Sequence, residues 1–133
     1  MSGSTISTGS SATYTPSTGS ASNYLTNGIY LISLLGYYTS SGNSSTYLSL
    51  AFTVAVTSNN SISPGGAIVQ GISMNNVIGN TLTNHVVSLY TPTFVVTVTS
   101  PTYYYGYANI TISSGSGTSY TPTVQITSIT RIG

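Results

Sequence analysis

The sequence predicts an all-β protein: a single small β-sandwich, immunoglobulin-like or jelly-roll, of about seven or eight strands behind an N-terminal arm. Three observations carry that prediction. Two stretches alternate with a period of two, turn residues punctuate the chain at short intervals, and no segment keeps a helical period. In Tyr103 to Ser113 the even positions are Tyr104, Gly106, Ala108, Ile110 and Ile112, and the odd ones are Tyr103, Tyr105, Tyr107, Asn109 and Thr111. Successive strand side chains point to opposite faces, so one register buries the isoleucines and turns the odd positions outward. Tyr47 to Thr57 repeats the pattern, with Leu48, Leu50, Phe52, Val54 and Val56 facing one way and Ser49, Ala51, Thr53, Ala55 and Thr57 the other.

Taken in order, residues 1–23 are Ser, Thr and Gly relieved by Ile6, Tyr14 and a few alanines, the composition of an arm. Residues 24–133 form the sandwich domain. Tyr24 to Tyr38 is apolar on both faces, as in a central strand covered on both sides, and Gly28 and Gly36 argue against a helix there. A turn is expected at Ser40 to Ser44, then the Tyr47 strand, then a loop from Asn59 to Gly66. Ala67 to Met74 reads as a strand broken at Gly71, and Asn75-Asn76 as a turn. Thr81 to Tyr90 and Thr93 to Thr99 read as two strands, or one kinked at Pro92, because proline has no N–H for a ladder. Ser100-Pro101 turns into the Tyr103 strand, and Ser113 to Ser119 is a hairpin loop. In Thr123 to Ile132 the apolar residues slip from even (Val124, Ile126) to odd (Ile129), which predicts a bulge or strand end near Thr127-Ser128. Tyr-Thr-Pro-(Ser/Thr) occurs at Tyr14, Tyr90 and Tyr120. The repeat is a coincidence of a Ser/Thr/Tyr-rich chain, a shared strand-entry device, or an arm imitating strands of the body.

Charge is the most unusual property. The chain has one Lys or Arg (Arg131), no Asp or Glu, and 1% charged residues, where about 25% is ordinary. Such a chain has little electrostatic protection against self-association. It also has almost nothing to titrate between strongly acidic and neutral pH, which predicts acid tolerance. Without carboxylates, glycosidase and aspartic-protease chemistry is excluded and no Ser-His-Asp triad can be built around His85, the single imidazole. One histidine without cysteine or carboxylate makes no metal site, and Gly65-Gly66 lacks the lysine of a phosphate loop. One arginine cannot replace the counterions of a nucleic-acid backbone. The expected protein is therefore no enzyme, holds no cofactor and binds no nucleic acid. No apolar run approaches the ~20 residues of a membrane span, and no secretory signal is visible.

Two sets of residues remain as candidate sites. Outward Tyr103, Tyr105 and Tyr107 suit a subunit interface or a carbohydrate-binding face, with a cross-strand aromatic ladder as the simpler role. Asn43, Asn59 and Asn109 open N-glycosylation acceptor triplets.

The uncharged Ser/Thr/Asn/Tyr/Gly-rich strands behind a Ser/Thr/Gly arm resemble extracellular filament subunits of acid-loving archaea. More broadly they resemble β-sandwich surface and virion proteins of those organisms and their viruses. The resemblance implies a non-enzymatic subunit that self-assembles outside the cell, an N-terminal segment of one copy completing the sheet of the next. The partners expected are other copies of the chain and covalent glycans. A capsid, turret or tail-fibre protein, and a carbohydrate-binding adhesin module, are the alternatives. Residues 1–23 lack the apolar alternation of a strong donor, so Thr123 to Ile132 is the competing donor segment.

Overall fold

The computed structural model describes residues 6–7, 11–14, 23–42, 48–59, 67–78, 85–114 and 118–133. Among these residues eleven strands run in the order β1 (Ile6–Ser7), β2 (Ser11–Tyr14), β3 (Tyr24–Leu25), β4 (Gly28–Gly42), β5 (Leu48–Thr57), β6 (Ile68–Ile78), β7 (His85–Tyr90), β8 (Thr93–Val98), β9 (Thr102–Tyr103), β10 (Tyr105–Ser114) and β11 (Thr118–Arg131). No helix occurs among the described residues, and every pairing is antiparallel. The all-β expectation holds.

Two larger sheets carry the fold. Sheet A has the order β1-β11-β4-β7, with β8 also on β4, and sheet B the order β2-β10-β5-β6. A two-stranded sheet joins β3 to β9. The even positions of β4 (Tyr30, Ile32, Leu34, Tyr38), β5 (Leu50, Phe52, Val54, Val56), β8 (Val96, Val98) and β10 (Ala108, Ile110) form one buried cluster. Strand alternation thus turns one face of each sheet onto a shared core. Phe52 sits at its centre, with the Tyr38 ring edge-on at 4.9 Å and the Tyr90 ring stacked at 5.5 Å. The sheets approach closely at Gly36, where a Cβ would stand 2.5 Å from Val54 Cγ2.

Some elements follow the sequence reading and others differ from it. β7 and β8 are one kinked line along β4. Gly36 faces Tyr90 and Ser33 faces Thr93 in the same register, and the Leu34 N–H donates to the Pro92 carbonyl at 2.9 Å across the gap. The two strands of the sequence reading thus form, interrupted at Thr91 and Pro92 and sharing one register along β4. The predicted slip near Thr127 is also present, with Ile126 opposite Leu34 and Ser128 opposite Ser33. By contrast, β6 runs unbroken through Gly71 and Asn75-Asn76, both predicted as interruptions. β11 starts at Thr118, inside the predicted hairpin loop, and β4 is preceded by a separate β3. The turn expected at Ser40 to Ser44 does not begin at Ser40, because β4 continues through Ser40, Ser41 and Gly42, paired with Tyr120, Ser119 and Thr118; residues 43–44 of that turn and 60–66 of the expected loop lie outside the described residues.

The two described pieces of the arm pair within their own chain. Ile6 and Ser7 face Tyr120 and Ser119 on β11, and Ser11 to Tyr14 face Thr111 to Ala108 on β10. One flank of the molecule is thereby edged by the arm on both sheets. The opposite flank ends in β6 and the β7–β8 line.

Polar side chains fasten the strand ends. The buried Thr57 hydroxyl donates to the Ala67 carbonyl at 3.1 Å and accepts from the Asn59 N–H at 3.1 Å, closing the base of the β5–β6 connection. Arg131 gives its single charge to backbone oxygens, donating from Nε to Gly133 and from Nη2 to Asn27, both at 3.0 Å.

Candidate functional site

The flank bounded by β6 has the chemistry of a docking edge. β6 is the outer strand of sheet B, eleven residues reading Ile-Val-Gln-Gly-Ile-Ser-Met-Asn-Asn-Val-Ile. An edge strand presents a row of unpaired N–H and C=O groups, and soluble proteins blunt it with lysine, proline or inward charges. β6 has none of these; its one irregularity is a register shift where Val56 faces Gln70 and Thr57 faces Ile68. Every residue from Ile68 to Asn75 is exposed. Ile72 and Met74 lie opposite Val54 and Phe52, and cross-strand partners share a face. Val54 and Phe52 are fully buried, yet Ile72 and Met74 are 40% and 39% exposed. The apolar face of the core therefore continues onto β6 beyond the cover that sheet A supplies.

The predicted tyrosine row is not a single exposed row. Tyr103 belongs to β9 and meets Tyr24 edge-on, ring centroids 5.0 Å apart. Tyr104 separates β9 from β10 and is buried, its N–H bonded to the Asn23 carbonyl at 3.0 Å. Tyr105 is half-buried. Tyr107 is 7% exposed, in a row with Ala55 and Gly71, whose small side chains leave room for a ring. Alternation assigned the faces correctly but did not reveal that part of the outer face is covered.

Of the acceptor asparagines, Asn109 is half-buried on the outer face of β10, its Nδ2 donating to Thr111 Oγ1 at 3.1 Å. Asn59 is exposed beside Thr57, and Asn43 lies outside the described residues. His85 opens β7 opposite Ser40. A cleft of about 260 Å³ beside the β11 bulge is lined by Asn23, Ile126, Thr127, Ser128 and Ile129, with no ionisable group. Among the described residues no cluster of three metal-ligating side chains occurs, and no helix is long and apolar enough to cross a membrane. What the sequence reading missed is that β6 continues past Gly71 to Ile78 and lies at the margin of its sheet; its alternation is blurred because both its faces carry apolar residues.

Burial pushes the Tyr104 phenol above its ordinary value. The folded state then holds this proton more tightly than the unfolded chain, so stability is complete below the unfolded value of about 10 and falls as pH rises from there through the folded value. No carboxylate side chain opposes this at the acid end. The denaturation midpoint is therefore expected to stay nearly level from about pH 3 to pH 7 and to drop above about pH 10. Denaturant titrations across that range check it, and a midpoint that falls steeply below pH 5 would contradict it.

Comparison with protein-family models, curated proteins and solved structures finds no match to this chain.

Proposed function

We propose that the protein is a non-enzymatic structural subunit that assembles with copies of itself into an extracellular filament by β-strand addition. The observation that carries this reading is β6: a long, uncharged, proline-free open edge whose apolar face extends the core. The resemblance to filament subunits of acid-loving archaea points the same way, as does the near-absence of charge. A fold of this composition fits a sandwich of immunoglobulin-like or jelly-roll type, and in this reading the acceptor asparagines Asn43, Asn59 and Asn109 carry glycans.

The arm is the donor segment in this reading. Its competitor, the C-terminal segment, is β11, an interior strand registered on β4 from Thr118 to Arg131 and edged by β1 on its other side. Extracting β11 would open sheet A, whereas β1 and β2 are two and four residues long at the sheet margins.

Negative-stain microscopy of the intact protein, of Ile72→Lys and of a chain lacking residues 1–22 tests the proposal. Filaments are expected from the first alone, with all three folded by circular dichroism. A protein that stays unassembled at high concentration would sink the filament reading, and closed shells or spikes would turn it to the virion alternative. Normal filaments from the shortened chain would remove the arm as donor.

A further inference from the structure

We infer that Asn27-Gly28 is a self-modification site, at which the fold sets Arg131 to promote closure of the Asn27 side chain onto the Gly28 nitrogen. The product is the first carboxylate side chain of this protein. The inference concerns one corner of sheet A and stands without the filament reading.

The sequence holds a single Asn-Gly step. Asn27 is exposed, in the bend between β3 and β4, and Gly28 is the first residue of β4. Gly28 pairs with Val98 at the last position of β8, so opening one terminal pair frees its N–H. Three hydrogen bonds build the corner. Arg131 donates from Nη2 to the Asn27 carbonyl and from Nε to the Gly133 oxygen, both at 3.0 Å. The Ile29 N–H donates to that same Gly133 oxygen, also at 3.0 Å. A Cβ on residue 28 would stand 2.8 Å from the Gly133 oxygen and 2.9 Å from Arg131 Nε. The seat of the guanidinium therefore requires glycine, and glycine leaves its own nitrogen unshielded.

The chemistry follows from the atom that Arg131 holds. The Asn27 carbonyl and the Gly28 N–H belong to one peptide group. When hydroxide removes the Gly28 proton, the negative charge spreads onto the Asn27 oxygen, where the guanidinium already stands. The nitrogen then attacks Asn27 Cγ. A bond from nitrogen to Cγ forms, the bond from Cγ to Nδ2 breaks, and Nδ2 leaves as ammonia with a proton from water, which restores the hydroxide. Water next opens the succinimide. Attack at Cγ gives aspartate, and attack at the Asn27 backbone carbon gives isoaspartate, with one methylene more in the main chain ahead of β4. Either way NH2 is exchanged for OH, with water as the one reactant. The other ionisable group at this corner is Tyr30, whose hydroxyl donates to the Thr26 carbonyl at 3.0 Å, one peptide further back.

The product matters because the surface is otherwise uncharged. Its carboxylate cancels the formal net charge of +1 and competes with the Gly133 oxygen for Arg131. Acid protects the site, since closure needs the deprotonated nitrogen, and alkaline conditions drive it.

Incubating the folded protein in heavy-oxygen water at about pH 8 and about pH 4, then mapping its peptides by mass spectrometry, tests the inference. Aspartate and isoaspartate carrying the heavy oxygen are expected at residue 27 before any other asparagine reacts, and far faster at the higher pH. Arg131→Gln should slow the reaction about threefold to tenfold, less than the ~10²–10³ of an enclosed oxyanion hole because this guanidinium is exposed. Arg131→Lys, which keeps the charge, should retain part of the rate. In urea the parent and Arg131→Gln should converge. A folded Arg131→Gln that reacts as fast as the parent would overturn the inference. So would a parent that reacts more slowly folded than in urea, since the fold would then guard the step rather than promote it; that comparison stands even where Arg131→Gln does not fold.

Discussion

Replacing Gly36 with alanine is expected to destabilise the fold by about 1–3 kcal/mol or more, the usual range for overpacking a filled core. The added Cβ would stand 2.5 Å from Val54 Cγ2, closer than real Cβ contacts come, and 3.0 Å from Cγ1, tighter than most of them. Neither side yields easily. Val54 is fully buried and branched at Cβ, and Gly36 is registered with Val124 on one side and Tyr90 on the other. A compensating change makes the test specific. Val54→Ala alone should cost stability by opening a cavity, but combined with Gly36→Ala the two losses should add to less than their sum. Denaturant midpoints of the four proteins give the coupling. Strict additivity would mean that the sheets do not meet at this point.

Truncating Phe52 to alanine should cost about 3–5 kcal/mol, the larger of the two losses. Its ring is wholly buried, with Tyr38 from sheet A edge-on at 4.9 Å and Tyr90 stacked at 5.5 Å. The side chain thus joins the two sheets, and removing it leaves both tyrosines facing a void. A domain of this size is stable by about 5–15 kcal/mol, so the loss takes a large share of that margin and should lower the melting temperature by many degrees. Thermal melts with a tyrosine near-ultraviolet signal check this directly. A melting temperature close to the parent's would show that the ring cluster is not the centre of the core.

How much was legible in the sequence depended on the physics involved. Alternation at Leu50 to Val56 and at Ala108 to Ile110 showed which side chains turn inward, because period two is a local property of strands. The bulge at Thr127 was visible as a parity slip, and the kink at Pro92 as a missing N–H. Continuity of β6 was not visible. Gly71, Asn75 and Asn76 favour turns locally, yet pairing with Ala55, Ala51 and Leu50 holds them extended. The break at Tyr104 was equally hidden, since its burial depends on β3 and Asn23, distant in sequence. Nothing local says which strands lie at sheet edges, so the open flank of β6 emerged only from the pairing order.

The extended pairing of β4 has a mechanical meaning. Its fifteen residues are held by β11 along one side and by the β8–β7 line along the other. Antiparallel hydrogen bonds lie across the strand direction, so a pull along β4 loads them in shear, many at once. The short arm strands offer no such resistance: a pull at the arm peels two- and four-residue strands from the margins in succession. A thread made of these subunits would bear tension through β4 and give way first at the arm.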